Sequence, residues 1–122
     1  MKFQPDTLDG VNVITRLESG RLWVAGTPFA HSVLVPWKGE VLAWEPGGFE
    51  AIEAAHFERI LALQPEVVIF GSGPRLRFAA PALMRALIDR RIGVETMDTA
   101  AACRTYNVLV SEGRSVVAAL LL

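Results

Sequence analysis

The segment Val67-Val68-Ile69-Phe70 constrains the fold of this chain more than any other. It is four β-branched or aromatic residues without polar alternation, set between Pro65 and the turn Gly71-Ser72-Gly73-Pro74. A strand that is apolar on both faces has to be covered on both faces, which is the situation of strands in parallel α/β sheets. The flanking sequence supplies the covers. Ile52, Ala55, Phe57, Ile60 and Leu63 fall near helical spacing from Phe49 onward, and Pro65 prevents that helix from continuing. Pro81 is placed for the first turn of a second helix running through Leu83, Met84, Leu87 and Ile88 and stopping before Gly93. Val94 to Met97 reads as another strand. Asp98 is the predicted N-cap of a third helix through about Ser111, with Gly113 as its stop, and Val116 to Leu122 closes as an apolar strand. The order strand, helix, strand, helix, strand implies parallel neighbours joined by right-handed crossovers.

The first half is patterned differently. Val11–Leu17, Arg21–Ala25, Ser32–Pro36 and Val41–Trp44 are short β-branched or aromatic runs. They are separated by Ser19-Gly20, Gly26-Thr27-Pro28 and Lys38-Gly39. Such punctuation predicts a β-meander or a small curled sheet. The expected class is α/β: a β-rich N-terminal half joined to a wound βαβαβ C-terminal half, with about three helices and a mixed sheet. At 122 residues, 52% of them hydrophobic and 20% charged, the chain has the size of one domain spanning 1–122 and enough apolar surface to fold by itself.

Charge and cysteine content exclude several classes. Twelve basic against thirteen acidic residues give a net charge of -1. That argues against broad electrostatic capture of nucleic acid or anionic membrane, while leaving room for a local basic patch. Ten of the twelve basic residues are Arg, the side chain suited to forked hydrogen bonds; a GC-rich coding sequence gives the same bias. The single cysteine, Cys103, cannot form an intrachain disulfide. The segment Met1 to Gly10 carries Asp6 and Asp9 without a basic stretch or a long apolar run, and no stretch approaches roughly 18 uninterrupted apolar residues. Cytoplasmic location, no membrane insertion and no nucleic-acid partner are therefore expected.

In open α/β sheets, ligands sit beyond the carboxyl ends of parallel strands. Two segments reach that edge: the loop Gly71-Ser72-Gly73-Pro74-Arg75-Leu76-Arg77 and the turn Met97-Asp98-Thr99. Glycines admit close backbone approach, a helix N-terminus offers N–H donors, and Arg75 or Arg77 can add a charged fork. Arg104, about one and a half turns into the third helix, points back toward the same edge. A small-anion pocket using Gly71, Ser72, Gly73, Arg75, Arg77, Glu95, Asp98, Thr99 and Arg104 is one reading. The other is a tight turn whose arginines pair with Glu95, Asp98 or Glu112. Neither the phosphate-loop nor the dinucleotide fingerprint is present, so no nucleotide cofactor is expected. His31, His56 and Cys103 lack metal-ligand spacing, so no metal is expected. Cys103 next to Arg104 has the setting of an activated thiolate, but lies on an Ala-rich packing surface where a buried Cys is ordinary. Trp23, Trp37 and Trp44 read as core or rim aromatics, or as a partner-binding face. The terminal apolar strand reads as buried, or, at an edge, as a route to homodimerisation by strand pairing.

Gly93-Val94-Glu95-Thr96-Met97-Asp98-Thr99-Ala100-Ala101-Ala102-Cys103-Arg104-Thr105-Tyr106-Asn107-Val108-Leu109, followed by Glu112-Gly113-Arg114-Ser115-Val116, resembles a small uncharacterised family. That family includes mitochondrial respiratory complex I assembly factor 3 and the adipogenesis-associated domain proteins. Pro65-Glu66-Val67-Val68-Ile69-Phe70-Gly71-Ser72-Gly73 looks like its strand and Gly-rich turn. The resemblance implies a compact α/β domain with a β-hammerhead-like portion, no established enzymatic activity, and complex assembly through protein contacts in the mitochondrial relatives. Gly71, Gly73, Glu95, Asp98, Thr99, Arg104, Thr105, Tyr106 and Asn107 match it. Two function classes follow: a non-enzymatic interaction or assembly domain with a protein partner, and an anion-binding enzyme or sensor at the Gly-rich edge.

Overall fold

The computed structural model describes residues 10–122; the segment whose composition spoke against a leader falls largely within residues 1–9, outside them. The central sheet is built on the run that anchored the sequence reading. Strand β6 (Val67–Gly71) pairs in parallel with β7 (Gly93–Met97) on one side and with β8 (Val116–Leu120) on the other. Strand β4 (Val33–Pro36) joins β8 antiparallel, and β5 (Leu42–Ala43) joins β4, giving the order β5-β4-β8-β6-β7. The sheet is mixed, with the expected parallel order in its second half. A second, antiparallel sheet is formed by β1 (Ile14–Glu18), β2 (Arg21–Val24) and β3 (Thr27–Phe29). Of the four runs read as a meander only the first two lie in it, because the run at 32–36 pairs with β8 as β4 and the run at 41–44 pairs with β4 as β5, both in the central sheet.

Side-chain alternation along the central strands divides the core in two. Val33, Val35, Val67, Ile69, Val116, Ala118 and Leu120 face one way, into a cluster with Ile14, Leu22 and Val24 of the meander and Ala102, Cys103, Tyr106 and Val110 of α3 (Thr99–Ser111). Leu34, Val68, Phe70, Val117, Ala119 and Leu121 face the other way, against α1 (Ala54–Glu58), α2 (Arg85–Asp89) and their flanking 3-10 turns. Both faces of β6 and β8 are thus buried, as an apolar strand without alternation requires. Trp44, Phe57 and Phe70 meet edge-on at centroid distances of 5.5 to 5.9 Å, the arrangement that ring quadrupoles favour.

Three expectations of individual elements need correction. The helix predicted from Phe49 to Leu63 is three short pieces, Phe49–Ala51, α1 and Arg59–Leu63, the first and last in 3-10 geometry. Phe57, Ile60 and Leu63 recur every three residues, the 3-10 period, and Gln64 ends the run at φ 54 just before Pro65. The second helix likewise opens as a 3-10 turn, Pro81–Met84, before α2. Thr27-Pro28, read as turn punctuation, is edge strand β3; Pro is tolerated there because an edge position need not donate an N–H. The terminal strand β8 lies between β4 and β6, buried as its apolar run implied, so the alternative of strand pairing between copies through a free edge falls away. No helix among the described residues is long and apolar enough to cross a membrane.

Candidate functional site

The carboxyl edge of the parallel strands is assembled from Gly71, Ser72, Gly73, Asp98, Thr99 and Leu121. Gly71 sets how closely α3 lies on the sheet. A Cβ there would fall 2.9 Å from Leu120 Cδ2, 3.0 Å from Thr99 Oγ1 and 3.1 Å from Ala102 Cβ, so only glycine fits without displacement. Gly73 turns the chain away at φ +105, with open space around it.

Thr99 then fastens three segments together. Its hydroxyl accepts the Gly73 N–H at 2.9 Å and donates to the Leu121 carbonyl at 2.7 Å, while its own N–H reaches the Gly73 carbonyl at 2.9 Å. The Leu121 N–H closes the circuit on the Gly71 carbonyl at 3.0 Å. Buried Ser72 shapes the following loop: its hydroxyl donates to the Arg75 carbonyl at 2.8 Å and accepts from the Arg77 N–H at 3.0 Å. Asp98 caps α3 as predicted, accepting the Ala101 N–H at 2.9 Å, so a carboxylate already occupies the positive end of the helix dipole.

The edge is flanked by two open hollows that meet at Gly20, Gly73, Pro74 and Leu122. One, of about 470 Å3, lies between Gly73-Pro74 and the Trp44–Phe49 segment and includes His31 and Arg77. The other, of about 510 Å3, lies between the β1–β2 turn at Ser19-Gly20 and Asp98-Thr99-Ala100. Sequence reasoning did not find the outer walls, Ser19-Gly20 and Pro46-Gly47-Gly48. The doubled glycine was a visible loop signal, but its proximity to the edge comes from the long-range pairing of β4 with β8.

The predicted site residues divide. Gly73, Asp98 and Thr99 share the second hollow, and Ser72, Gly73 and Arg77 the first. Gly71 is packed inside. Arg75 is exposed on the loop, Glu95 is exposed midway along β7, Arg104 is exposed on α3, and none of the three lines either hollow. Arg77 pairs with Glu50, outside the acids named as its alternatives, and its guanidinium lies 4.2 Å from the centre of the Phe49 ring. The Arg77 hydrogen bond is the main cause holding the Glu50 carboxyl below its ordinary range.

The remaining reactive groups are set by burial. Cys103 is fully buried, and desolvation pushes its thiol up to about 12, the opposite of what a nucleophile needs. His56 Nδ1 accepts the Glu53 N–H at 2.8 Å and the His56 carbonyl accepts Trp44 Nε1 at 3.0 Å, so this residue builds the α1 start. Among the described residues no three His, Cys, Asp or Glu side chains gather as a metal site would require.

Comparison with known proteins fits this picture. The family model described as "Protein of unknown function (DUF498/DUF598)" matches residues 14–121. A Bos taurus protein named NADH dehydrogenase [ubiquinone] 1 alpha subcomplex assembly factor 3 is 39% identical over 95 residues, 76% of this chain and 50% of that protein. The chain spans about half the length of the curated assembly factors it matches. A crystal structure from Bordetella parapertussis superposes with TM-score 0.87 at 36% identity, covering 94% of this chain and 98% of that one. A structure described as an outer membrane protein from Bartonella henselae superposes with TM-score 0.80 at 30% identity, covering 92% and 95%.

Proposed function

This chain belongs to the DUF498/DUF598 family of proteins of unknown function, and on that premise we propose that it is a non-enzymatic interaction domain that helps assemble a larger protein complex. One observation carries the reading. At the edge where an open α/β sheet ordinarily holds its substrate, the Gly73 and Thr99 N–H groups and the Ser72 and Thr99 hydroxyls are bonded to one another and to the backbone. Reacting substrates need polar groups that are uncommitted and convergent. What the edge presents instead is a pair of joined hollows, between two loops, of a size to take side chains of a partner. The assembly-factor name of the Bos taurus relative supports a complex-building role, and a cytoplasmic site of action completes the proposal.

A second reading, a small-anion sensor, is favoured by one feature: Gly73, Asp98, Thr99 and Ala100 do line a common hollow at the start of α3. Of the other residues named for this reading, Ser72 and Arg77 line the adjoining hollow, and Gly71, Arg75, Glu95 and Arg104 lie outside both. Glu18 and Asp98 make that hollow acidic, which works against an anion. A thermal-shift screen against phosphate, carboxylates, nucleotides and acyl-CoA compounds, with Ser19→Trp, which fills that hollow, as control, separates the two. The interaction reading predicts no saturable shift. A saturable shift lost in Ser19→Trp establishes the sensor instead, because a ligand of the folded state raises its apparent stability.

A further inference from the structure

The apolar side chains left in solvent are not scattered. Among the described residues the large exposed hydrophobics are Leu76, Phe78, Ile88 and Val108, and the first three lie between Pro74 and Ile92. The same stretch carries Arg75, Arg77, Arg85, Arg90 and Arg91 against one acid, Asp89. The rest of the chain holds seven basic and twelve acidic residues, so basic and exposed apolar residues are concentrated in the same stretch of sequence; Arg77 is paired with Glu50, which leaves Arg75, Arg85, Arg90 and Arg91 as its exposed arginines.

The fold explains how these side chains come to be outside. Ser72 holds the loop at Arg75 and Arg77, and Arg77 turns inward onto Phe49 and Glu50. Its neighbours Leu76 and Phe78 are left 51% and 71% exposed. Further along, Leu83, Met84 and Leu87 pack into the core, while Arg85 and Ile88, three residues apart and hence neighbours on one helix face, are exposed.

We propose that this stretch docks the protein reversibly on an anionic lipid surface. Phe78 and Leu76 enter the boundary between headgroups and acyl chains, and the arginines lie against lipid phosphates. A lipid surface is favoured over an acidic protein by shape. Leu76, Phe78 and Ile88 protrude and line neither hollow. A fluid boundary accepts protruding side chains anywhere, whereas a protein partner must offer a fitted pocket for each. The uneven charge distribution turns the same face toward a negative surface before contact. Leu76, Phe78, Ile88 and the four exposed arginines line neither hollow, so the docking face does not depend on the assembly reading.

The test is co-sedimentation of the full chain with vesicles of phosphatidylcholine alone, or with about a third phosphatidylglycerol, at low and high salt. The expected result is binding to the anionic vesicles only, weakened by salt. Removing two basic residues in Arg85→Gln/Arg90→Gln is expected to weaken binding roughly twenty-five-fold, at about fivefold per basic residue. Leu76→Ser/Phe78→Ser is expected to weaken it at least tenfold, roughly the cost of withdrawing one buried aromatic. Val108→Ser, which removes an exposed apolar side chain elsewhere, is expected to leave it unchanged, and near-ultraviolet dichroism of the tryptophans checks that each variant is folded. Absence of wild-type binding to anionic vesicles at low salt overturns the proposal. So does an equal loss in Val108→Ser, or binding of polyglutamate at this face by a protein that ignores vesicles, which assigns the patch to an acidic protein.

Discussion

Asn107 pairs with Ile14 as one strand pairs with another: its Oδ1 accepts the Ile14 N–H at 2.9 Å and its Nδ2 donates to the Ile14 carbonyl at 2.8 Å. Next to it the Tyr106 hydroxyl donates to the Asn12 carbonyl at 2.9 Å, with the Pro36 carbonyl also at 3.0 Å. Asn12 in turn donates from its side chain to Pro36 and Gly39. Two consecutive residues of α3 therefore fasten the meander and the end of β4 to the back of the central sheet. These residues belong to the block that resembles known relatives, and their work is to hold the two sheets together.

Replacing Asn107 with Ala leaves the fully buried Ile14 without its partners for both N–H and carbonyl. At about 1 to 3 kcal/mol for each orphaned buried group, the expected loss is about 2 to 6 kcal/mol in urea unfolding. Tyr106→Phe is expected to cost about 1 to 2 kcal/mol on the same grounds. Losses below a few tenths of a kcal/mol in both would show that the meander is held by apolar packing alone.

The two edge glycines are expected to fail differently. Gly71→Ala places a methyl against Leu120, Thr99 and Ala102, an overpacking of about 1 to 3 kcal/mol that Ala102→Gly relieves in part. Gly73→Ala meets nothing, but imposes φ +105 on an L-residue, a strain of about 1 to 3 kcal/mol that Ala102→Gly leaves untouched. A double-mutant cycle on the unfolding midpoints reads the difference.

Thr99→Val keeps the side-chain shape and removes the hydroxyl that joins Gly73 to Leu121. Stability is expected to fall by about 2 to 4 kcal/mol from two buried groups left unpaired, with Thr99→Ser recovering most of it. If Val is as stable as Thr, the edge donors are free for a ligand and the anion-sensor reading gains.

Burial makes the Cys103 thiol a stability element with a defined pH range. The folded state keeps its proton up to about 12, whereas an unfolded Cys loses it near about 8.5. Above the unfolded value the unfolded chain binds fewer protons than the folded one, so stability falls with rising pH. The contribution is full below about pH 8.5 and is lost progressively toward about pH 12. Burial raises the Tyr106 hydroxyl as well, and it acts in the same direction above about pH 10. Urea midpoints from neutral to alkaline pH should decline, less steeply in Cys103→Ala. A thiol reagent at about pH 8 should label the protein only after unfolding; rapid labelling of the native chain would contradict the buried setting.

Local chemistry made part of this fold legible. The Asp98 cap and the Gly113 stop of α3 are short-range signals, and the unbroken apolar run of β6 declares its own burial. What escaped was decided elsewhere in the chain. Pro28 forms a strand because β2 lies beside it. The segment from Phe49 forms three short pieces rather than one helix, with Phe57 and Ile60 both buried in the cluster that holds Phe70 and Trp44 on the far side of the sheet. The Gly71–Gly73 loop and the Asp98–Thr99 turn do meet at one end of the sheet, but whether their donors point out or into one another turned on the Thr99 hydroxyl, to which sequence gave no direction. The arginines were nominated by proximity along the chain, and Arg77 found Glu50, a residue twenty-seven positions away.

The central claim is that the joined hollows hold a protein partner, and affinity capture from source cells with quantitative mass spectrometry tests it most directly. The comparison is between the wild-type chain and two variants that fill one hollow each, Ser19→Trp and Ala30→Trp, at exposed wall positions. The account predicts a defined partner enriched by the wild type and lost in one or both variants whose melting temperatures are unchanged. An identical set of captured proteins from all three chains would contradict it.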